Sequence, residues 1–223
     1  MALFDEKIMQ QLRDILGKMK DDVYLLFFTQ EIECPMCRET RMFLEEISSL
    51  NEKLKLETYN FIIDAGTAGR YGVDKIPATV VLGKDRMDCG IKFYGLPGGY
   101  EINSFISSVL EVSGRKEALP AEIMDRINSI DHDIHIQVFV GLGCPHCPGA
   151  VSVAHRLALE SPRVRAEMVD TGAFVPLAQK YNVTGVPKIV FNDRVELTGA
   201  HPLETFLDVI DRLKNSGAVA HID

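Results

Sequence analysis

The spacing of hydrophobic and polar residues changes along the chain in one order, and this order occurs twice. In each part, apolar residues at helical spacing predict an opening helix, and a short apolar run after it predicts a strand. The predicted helices cover 8–16, 38–50, 101–112, 123–130, 150–160 and 203–214, and the predicted strands cover 23–28, 79–82, 91–94, 134–140, 189–191 and 195–198. One further strand in each part is predicted to end at Asp64 and at Asp170, before a short helix.

Matching residues at a constant offset identify an internal repeat. Cys34 and Cys144 are 110 residues apart (144 − 34), and Pro77 and Pro187 are separated by the same distance (187 − 77). Gap-free agreement at cysteines and prolines predicts two copies of one domain.

The two copies are expected to meet in the stretch 113–120, which contains Gly114 and ends in a proline. We therefore predict domains at 1–116 and 117–223. A strand–helix–strand unit followed by a hairpin predicts the α/β class, with two tandem folds that each consist of a mixed sheet flanked by helices.

Composition and charge exclude several classes of partner. The net charge of −8 and the pI near 5.3 argue against a nucleic-acid partner, because neutralising phosphates requires clustered Lys and Arg. No apolar run approaches the roughly 18 residues of a membrane span. The first ten residues show helical periodicity and acidic side chains, which is not the pattern of a secretory leader, so a cytoplasmic location is expected.

Four of the five cysteines form two Cys-x-x-Cys pairs, Cys34 with Cys37 and Cys144 with Cys147. Each pair lies between a predicted strand and a predicted helix. The unpaired N–H groups and the dipole of a helix N-terminus stabilise a thiolate, which is the nucleophile of disulfide exchange. We therefore expect the first cysteine of each pair to be the exposed attacker and the second to be the buried resolver.

The residues inside the pairs are expected to tune the two sites. Pro35 and Pro145 suit the first helical turn, where a missing N–H costs no intrahelical bond. His146 is expected to stabilise the neighbouring thiolate and make that pair more oxidising, whereas Met36 offers no such donor. A solvated histidine at the start of a helix is the alternative interpretation.

Metal binding is the main alternative function for paired cysteines. Zinc-ribbon pairs usually lie about 15–20 residues apart, whereas Cys37 and Cys144 are separated by 107 positions (144 − 37). Covalent haem would require a histidine where Arg38 and Pro148 stand. We therefore expect neither a metal nor another cofactor, since cysteine supplies both the nucleophile and the redox couple.

The combination of Cys-Pro-x-Cys with Ile76-Pro77 in one half and Val186-Pro187 in the other resembles the thioredoxin superfamily. The resemblance implies that both prolines are cis and lie against the cysteines, and that Ile76 and Val186 pair their backbones with the substrate peptide. It also implies thioredoxin-like folds in both halves. One departure is that the strands before the pairs lack the buried Asp that thioredoxins carry.

The whole chain is similar to the glutaredoxin-like protein disulfide oxidoreductases, in which two such folds each carry a Cys-x-x-Cys pair. A related module, at the N-terminus of flavin-containing alkyl hydroperoxide reductase, keeps only its second pair. The resemblance implies an enzyme that reduces, forms or isomerises protein disulfides. An electron carrier from a thioredoxin-reductase-like flavoprotein to a peroxiredoxin is one alternative, and a zinc-binding or peptide-binding module is another.

Other chemistry-bearing residues are interpreted as structural. Asp64 and Asp170 are expected to be turn or cap residues, and Cys89 a buried, inert thiol. The glycine-rich stretch 95–99 is expected to form the turn into the helix that follows it. Three histidines without metal-ligand spacing are expected to be surface or packing residues: His132, His135 and His155.

Overall fold

The computed structural model describes residues 3–215 and 220–221. The elements of the first half are α1 (Glu6–Leu16), β1 (Val23–Thr29), α2 (Cys37–Ser48), β2 (Leu54–Asn60), α3 (Ala65–Arg70), β3 (Ala78–Leu82), β4 (Asp88–Tyr94) and α4 (Ile102–Val112). Those of the second half are α5 (Ala121–Asn128), β5 (Ile134–Val140), α6 (Cys147–Glu160), β6 (Val164–Asp170), α7 (Val175–Lys180), β7 (Lys188–Phe191), β8 (Val195–Thr198), α8 (Leu203–Asn215) and β9 (Ala220–His221). One-turn 3-10 helices lie at Lys84–Arg86 and Gly99–Glu101.

The strands of the described residues form one continuous sheet in the order β2-β1-β3-β4-β6-β5-β7-β8-β9. In the first half β1 is parallel to β2 and antiparallel to β3, and in the second half β5 is parallel to β6 and antiparallel to β7. This is the mixed α/β architecture that the sequence predicted, with one addition. The two half-sheets join because β4 pairs in parallel with β6.

Helices cover both faces of this sheet, so the central strands are apolar on both sides. Phe27 and Phe28 are neighbours on β1 but belong to two different core clusters, and Val138 and Phe139 on β5 divide in the same way. Adjacent strand residues point to opposite faces, which accounts for the division. Burial on both faces also explains why these strands have nearly continuous apolar sequences.

Two glycines with positive φ allow the halves to approach closely at the β4–β6 join. A Cβ on Gly90 (φ 68°) would lie 2.6 Å from the Val164 carbonyl oxygen, and a Cβ on Gly95 (φ 101°) would lie 2.5 Å from Asp170 Cβ. Any larger residue would therefore force the strands apart.

A buried ion cluster also crosses this join. The Glu167 carboxylate of β6 lies 3.4 Å from Lys92 Nζ, 3.0 Å from His135 Nε2 and 3.9 Å from Lys75 Nζ. Burial opposes the charged form of Glu167, but His135 and the two lysines hold its pKa below the usual value. Lys75 directly precedes the Ile76-Pro77 bond, so the second half contacts the proline loop of the first.

The prediction that the second strand of the first half ends at Asp64 is wrong. Strand β2 ends at Asn60, and a turn follows in which the Asp64 N–H donates to the Asn60 carbonyl and the Asn60 N–H donates to Asp64 Oδ2. Apolar residues in this turn, Ile62 and Ile63, extended the apparent strand pattern. In the second half the strand ends at Asp170 as predicted.

Strand β9, which pairs in parallel with β8, was not predicted. The proposed boundary between 1–116 and 117–223 lies in the connection between α4 and α5, and it stays a proposal. No helix within the described residues is long and apolar enough to cross a membrane.

Candidate active sites

Each cysteine pair lies where a central parallel strand is followed by a helix. Strand β1 ends at Thr29 and α2 begins at Cys37, and strand β5 ends at Val140 and α6 begins at Cys147. Both pairs are disulfide-bonded, with Cα atoms 5.4 Å apart in the first pair and 5.5 Å apart in the second. The second cysteine of each pair is therefore the first residue of its helix.

The helix boundaries correct the expected position of the prolines. Pro35 and Pro145 lie in the turn before each helix, and the residues at the N-cap positions are Met36 and His146. Pro148 occupies the early helical position instead, because it follows the first residue of α6.

The cis-proline loops lie beside the cysteines for a reason that the sheet makes clear. Strand β3 runs antiparallel to β1 with Ala78 opposite Phe28, so the start of β3 lies at the end of β1 from which the first pair emerges. Lys188 lies opposite Phe139 in the second half, which gives the same arrangement. The prediction that the Ile76-Pro77 and Val186-Pro187 bonds are both cis is confirmed.

Burial separates the two cysteines of each pair. Cys34 and Cys144 are partly exposed, whereas Cys37 and Cys147 are buried. In the second site, the Cys147 N–H donates to Cys144 Sγ at 3.2 Å, and the carbonyl oxygen of Val186 lies 3.7 Å from the same sulfur. The first cysteine is thus the accessible one, and in the second site its sulfur faces both a helical N–H and the cis-proline loop.

In the first site the corresponding N–H has a different partner. The Cys37 N–H donates to the Cys34 carbonyl at 3.2 Å. Glu33, which directly precedes Cys34, has a left-handed backbone (φ 61°), a conformation that costs a non-glycine residue energy.

The first half of the chain covers the loop of the second site, which sequence reasoning missed. The Tyr100 N–H donates to the Leu142 carbonyl at 3.0 Å. Gly99 has φ 57°, and a Cβ there would lie 2.3 Å from the same carbonyl oxygen. The stretch 95–99 does lead into α4 as predicted, but it also packs against the residues that precede Cys144. Only the glycine at position 99 signals this contact in the sequence.

A buried carboxyl lies in the same segment. Glu101 is fully buried, and its Oε2 accepts a hydrogen bond from Ser104 Oγ at 2.5 Å. Burial raises the pKa of Glu101 to about 7, and the nearby Asp170 carboxyl adds to the shift. Burial also raises the pKa of Asp170, whose Oδ1 accepts a hydrogen bond from the Gly172 N–H. Asp170 therefore forms a turn, as predicted.

Asp64 occupies the N-cap position of α3 without a side-chain capping bond, and its carboxylate closes the preceding turn. The His146 side chain is exposed, and no hydrogen bond among the described residues joins it to Cys144 in the disulfide form. Cys89 is buried, which raises the pKa of its thiol to about 11.

The three remaining histidines occupy structural positions. His132 lies beside Asp131, and His135 belongs to the ion cluster of Glu167. His155 is buried against Phe93, and burial lowers the pKa of its imidazole to about 3. Within the described part of the chain, no three His, Cys, Asp or Glu side chains come together as a potential metal site.

Comparison with known proteins agrees with this geometry. The thioredoxin domain family matches residues 134–211. The N-terminal (NTD_N/C) domain of alkylhydroperoxide reductase AhpF from Enterococcus faecalis is 31% identical, with a TM-score of 0.87 over 93% of this chain and 99% of that one. The chain belongs to this family of paired thioredoxin folds. It is a thioredoxin-fold disulfide oxidoreductase with two CxxC sites.

Other relatives show how far the similarity extends. A protein disulfide oxidoreductase from Aeropyrum pernix has the same fold, with a TM-score of 0.88 at 24% identity over 98% of this chain and 97% of that one. The AhpF-type alkyl hydroperoxide reductase of Pseudomonas putida is 27% identical over 92% of this chain, and NADH dehydrogenase of Bacillus subtilis is 22% identical over 92%. The chain spans 38% and 37% of the lengths of these two relatives.

Proposed function

We propose that both sites exchange disulfides with protein substrates, with Cys34 and Cys144 as attackers and Cys37 and Cys147 as resolvers. In the reducing direction, the attacker's thiolate forms a bond to one substrate sulfur and the substrate S–S bond breaks. The released substrate thiolate takes up a proton. The resolver then passes its proton to water, and its thiolate bonds to the attacker's sulfur. The bond from that sulfur to the substrate breaks, and the second substrate thiolate leaves and takes up a proton from water.

The balance of this cycle is two electrons and two protons. The enzyme dithiol is oxidised to a disulfide, and the substrate disulfide is reduced to two thiols. The reverse sequence forms a substrate disulfide. The direction therefore depends on the reduction potentials of the enzyme pair and of its partner.

The observation that carries this proposal is the unequal burial of the cysteines at each helix start. A partly exposed sulfur can reach a substrate disulfide, while the buried sulfur of the second cysteine can reach only the first sulfur. In the second site the 3.2 Å distance from the Cys147 N–H to Cys144 Sγ supports the attacker role of Cys144, because an N–H donor stabilises a thiolate.

We further propose that Ile76 and Val186 bind the substrate backbone, and that Met36 and His146 tune the two pairs from the N-cap positions. The 3.7 Å distance between the Val186 carbonyl oxygen and Cys144 Sγ supports the substrate-binding role of Val186, because a peptide bonded to that sulfur would pass beside the carbonyl. Pro77 and Pro187 have no N–H, so any backbone donor to a substrate strand at this position would come from the residue before each proline.

A second candidate is a more specific role as an electron carrier. Relatives that are named as AhpF-type alkyl hydroperoxide reductases match more than nine-tenths of this chain, which favours transfer of electrons from a thioredoxin-reductase-like flavoprotein to a peroxiredoxin. In this role the flavoprotein supplies the electron pair and the reduced sites pass it on. A reducing compartment such as the cytoplasm would keep both cysteine pairs in the reduced, dithiol form.

Insulin reduction with dithiothreitol as the electron source tests the primary proposal. We expect Cys34→Ser and Cys144→Ser each to lose part of the activity and the double variant to lose it entirely. Cys37→Ser and Cys147→Ser should accumulate mixed disulfides with insulin at Cys34 and Cys144. An unchanged rate in the double variant would contradict the proposal, and tight stoichiometric zinc binding by the reduced chain would favour a metal module instead.

The carrier role is tested by coupling the chain to a flavoprotein disulfide reductase and a peroxiredoxin with an alkyl hydroperoxide. We expect oxidation of the nicotinamide cofactor of the reductase to depend on this chain and to fall in the double cysteine variant. If the chain reduces insulin but supports no peroxide-dependent oxidation with any such pair, the general oxidoreductase is the better description.

A further inference from the structure

An exposed apolar surface lies beside the first cysteine pair and not beside the second. Ile32, Ile62 and Ile63 are 76%, 68% and 82% exposed, unusually high values for isoleucine. Ile32 lies in the loop after β1, and Ile62 and Ile63 lie in the turn after β2. Because β1 and β2 are parallel and Thr29 lies opposite Asn60, both segments leave the same edge of the sheet.

Hydrogen bonds fix the turn that presents two of these side chains. The N–H groups of Ile62 and Ile63 donate to Asn60 Oδ1 at 3.0 and 2.9 Å, and the Asp64 N–H donates to the Asn60 carbonyl at 2.8 Å. The turn is therefore ordered while its apolar side chains stay in water. Their exposure forgoes the free energy that burial would provide, roughly 25 cal/mol per Å².

The three isoleucines line a groove of about 830 Å³ that leads to the reactive sulfurs. A smaller cavity of about 280 Å³ contains Cys34 and Cys37 in its wall. The groove and the cavity share four lining residues: Thr29, Gln30, Glu31 and Arg41. A protein whose disulfide reaches Cys34 would therefore extend over this groove.

One hydroxyl in the shared wall lacks a partner. Thr29 is 3% exposed, and its Oγ1 makes no hydrogen bond to any described residue. An unpaired buried hydroxyl is unfavourable in an isolated protein. Because this oxygen is itself inaccessible, a bound segment would meet the exposed residues of the groove wall and not the Thr29 hydroxyl.

The exposed charges of the groove wall itself are acidic. Glu31 and Glu33 are exposed and Arg41 is half-buried, while the exposed cation Arg38 lies in the wall of the adjoining cysteine cavity. Charges of this kind select partners of opposite sign and raise the rate of encounter more than they raise affinity.

At the equivalent positions the second half keeps one apolar side chain, Leu142, and lacks the other parts of this surface. At the 110-residue offset, Ile62 and Ile63 are replaced by Gly172 and Ala173. The acidic residues before the first cysteine become glycines, Gly141 and Gly143, and Ile32 becomes Leu142, whose carbonyl is held by the first half of the chain. The surface is therefore a property of the first site and not of the repeated fold.

We propose that Ile32, Ile62 and Ile63 form a docking surface that selects, for the first site, protein disulfides flanked by apolar and basic residues. This inference rests on the proposed exchange function and assigns a substrate class to one of its sites. The occupant is the segment of a disulfide-bonded protein that carries the attacked cysteine. An apolar side chain near that cysteine packs on the isoleucines, and a basic one faces Glu31 and Glu33.

The test uses a chain that retains only the first site, made with Cys144→Ser and Cys147→Ser. Its substrates are two fluorogenic disulfide peptides, one with Leu and Lys and the other with Ser and Asp beside the cysteine, together with hydroxyethyl disulfide. We expect the ratio of kcat/KM for the Leu/Lys peptide to that for hydroxyethyl disulfide to fall about tenfold in Ile62→Ser/Ile63→Ser. Glu31→Gln/Glu33→Gln should reduce the preference for the Lys peptide two- to fivefold.

Met87→Ser is the matched control, because Met87 is also an exposed apolar residue but does not line the groove. Equal kcat/KM for the two peptides would overturn the docking proposal, as would a ratio that the isoleucine changes leave unaltered. Equal loss with peptide and hydroxyethyl disulfide would also overturn it, because the isoleucines would then shape the site itself. If the single-site chain reduces none of the three disulfides, the exchange function of the first site fails instead.

Discussion

The loop that precedes Cys34 carries two acidic residues and an exposed isoleucine, whereas the loop that precedes Cys144 carries two glycines and lies against the other half of the chain. Both loops join the same kind of strand to the same kind of helix. The first is one residue longer, with 30–33 between strand and cysteine instead of 141–143. Duplication has thus kept the redox geometry and changed its surroundings.

The surroundings should make the two thiolates unequal. At the second site the Cys147 N–H reaches Cys144 Sγ, and the chain carries no acidic residue from Gly141 to Leu159. At the first site the negative charges of Glu31, Glu33 and Glu39 destabilise a thiolate on Cys34, and Arg38 and Arg41 offset part of this effect. A nearby negative charge raises the pKa of a thiol, and one pKa unit corresponds to about 1.4 kcal/mol.

The largest expected effect comes from removing Cys144. Cys144→Ser should abolish most of the oxidase and isomerase activity, measured by refolding of scrambled ribonuclease, because the pair with the more stable thiolate is the more oxidising one. Cys34→Ser should retain most of it. A greater loss in Cys34→Ser would reverse the order of the sites, with Cys34→Ser/Cys144→Ser as the inactive reference.

Glu101 lies in the segment that packs against the loop of the second site, and it should make the free energy of unfolding depend on pH. Because burial raises its pKa to about 7 from 4.5, the folded protein binds more protons than the unfolded one between these values. Its stabilising contribution is therefore complete below pH 4.5 and is lost as the pH rises through 7. Relative to Glu101→Gln, the wild type should lose about 2–3 kcal/mol between pH 5 and pH 8.

Urea unfolding of wild type and Glu101→Gln at the two pH values measures this difference. The subtraction removes the contribution of other titrating groups. A difference in unfolding free energy that is the same at pH 5 and pH 8 would show that Glu101 titrates at its ordinary pKa.

Gly99→Ala should disturb the second site selectively. The added Cβ would meet the Leu142 carbonyl oxygen, and alanine at φ 57° is strained, so we expect a loss of about 1–3 kcal/mol in unfolding free energy. The alkylation rate of Cys144 should change while that of Cys34 does not. Gly69→Ala in α3 is the control, since a Cβ there has no neighbour within 4 Å and should stabilise the helix by about 0.5–1 kcal/mol.

Cys89→Ala should have the smallest effect on catalysis. The Cys89 thiol is buried and its pKa is raised to about 11, so it carries little thiolate at neutral pH. Insulin reduction should proceed at the wild-type rate, with a loss in stability of about 1 kcal/mol from the smaller side chain. Slower reduction by a folded variant would show that a third thiol takes part in the cycle.

The periodicity of apolar residues and the 110-residue repeat predicted most of the fold, because both can be read directly from the sequence. Strand β5 and strand β8 were predicted with their observed bounds. The helix after the first pair was placed at 38–50, against Cys37–Ser48 in the structure. The predicted end of strand β2 was wrong because Ile62 and Ile63 extend the apolar pattern of the strand, although they lie in a turn and are exposed.

Contacts between the halves could not be predicted in the same way. The pairing of β4 with β6 depends on long-range register, which periodicity within one strand does not record. Glu101 had no sequence signal as a buried group, since its burial arises from packing between segments far apart in the chain. The exposed position of the first cysteine and the buried position of the second were predicted in each pair, because the geometry of a helix start is local.

The central claim, that the two sites are chemically unequal, is tested most directly on two single-site chains. One carries Cys34 and Cys37 alone, the other carries Cys144 and Cys147 alone, and both contain Cys89→Ala. Iodoacetamide alkylation against pH reports the pKa of each attacker, and titration in glutathione buffers reports each potential. We predict that Cys144 alkylates at the lower pH and that its pair has the higher reduction potential. A lower alkylation pH at Cys34, together with the higher potential at its pair, would contradict the account.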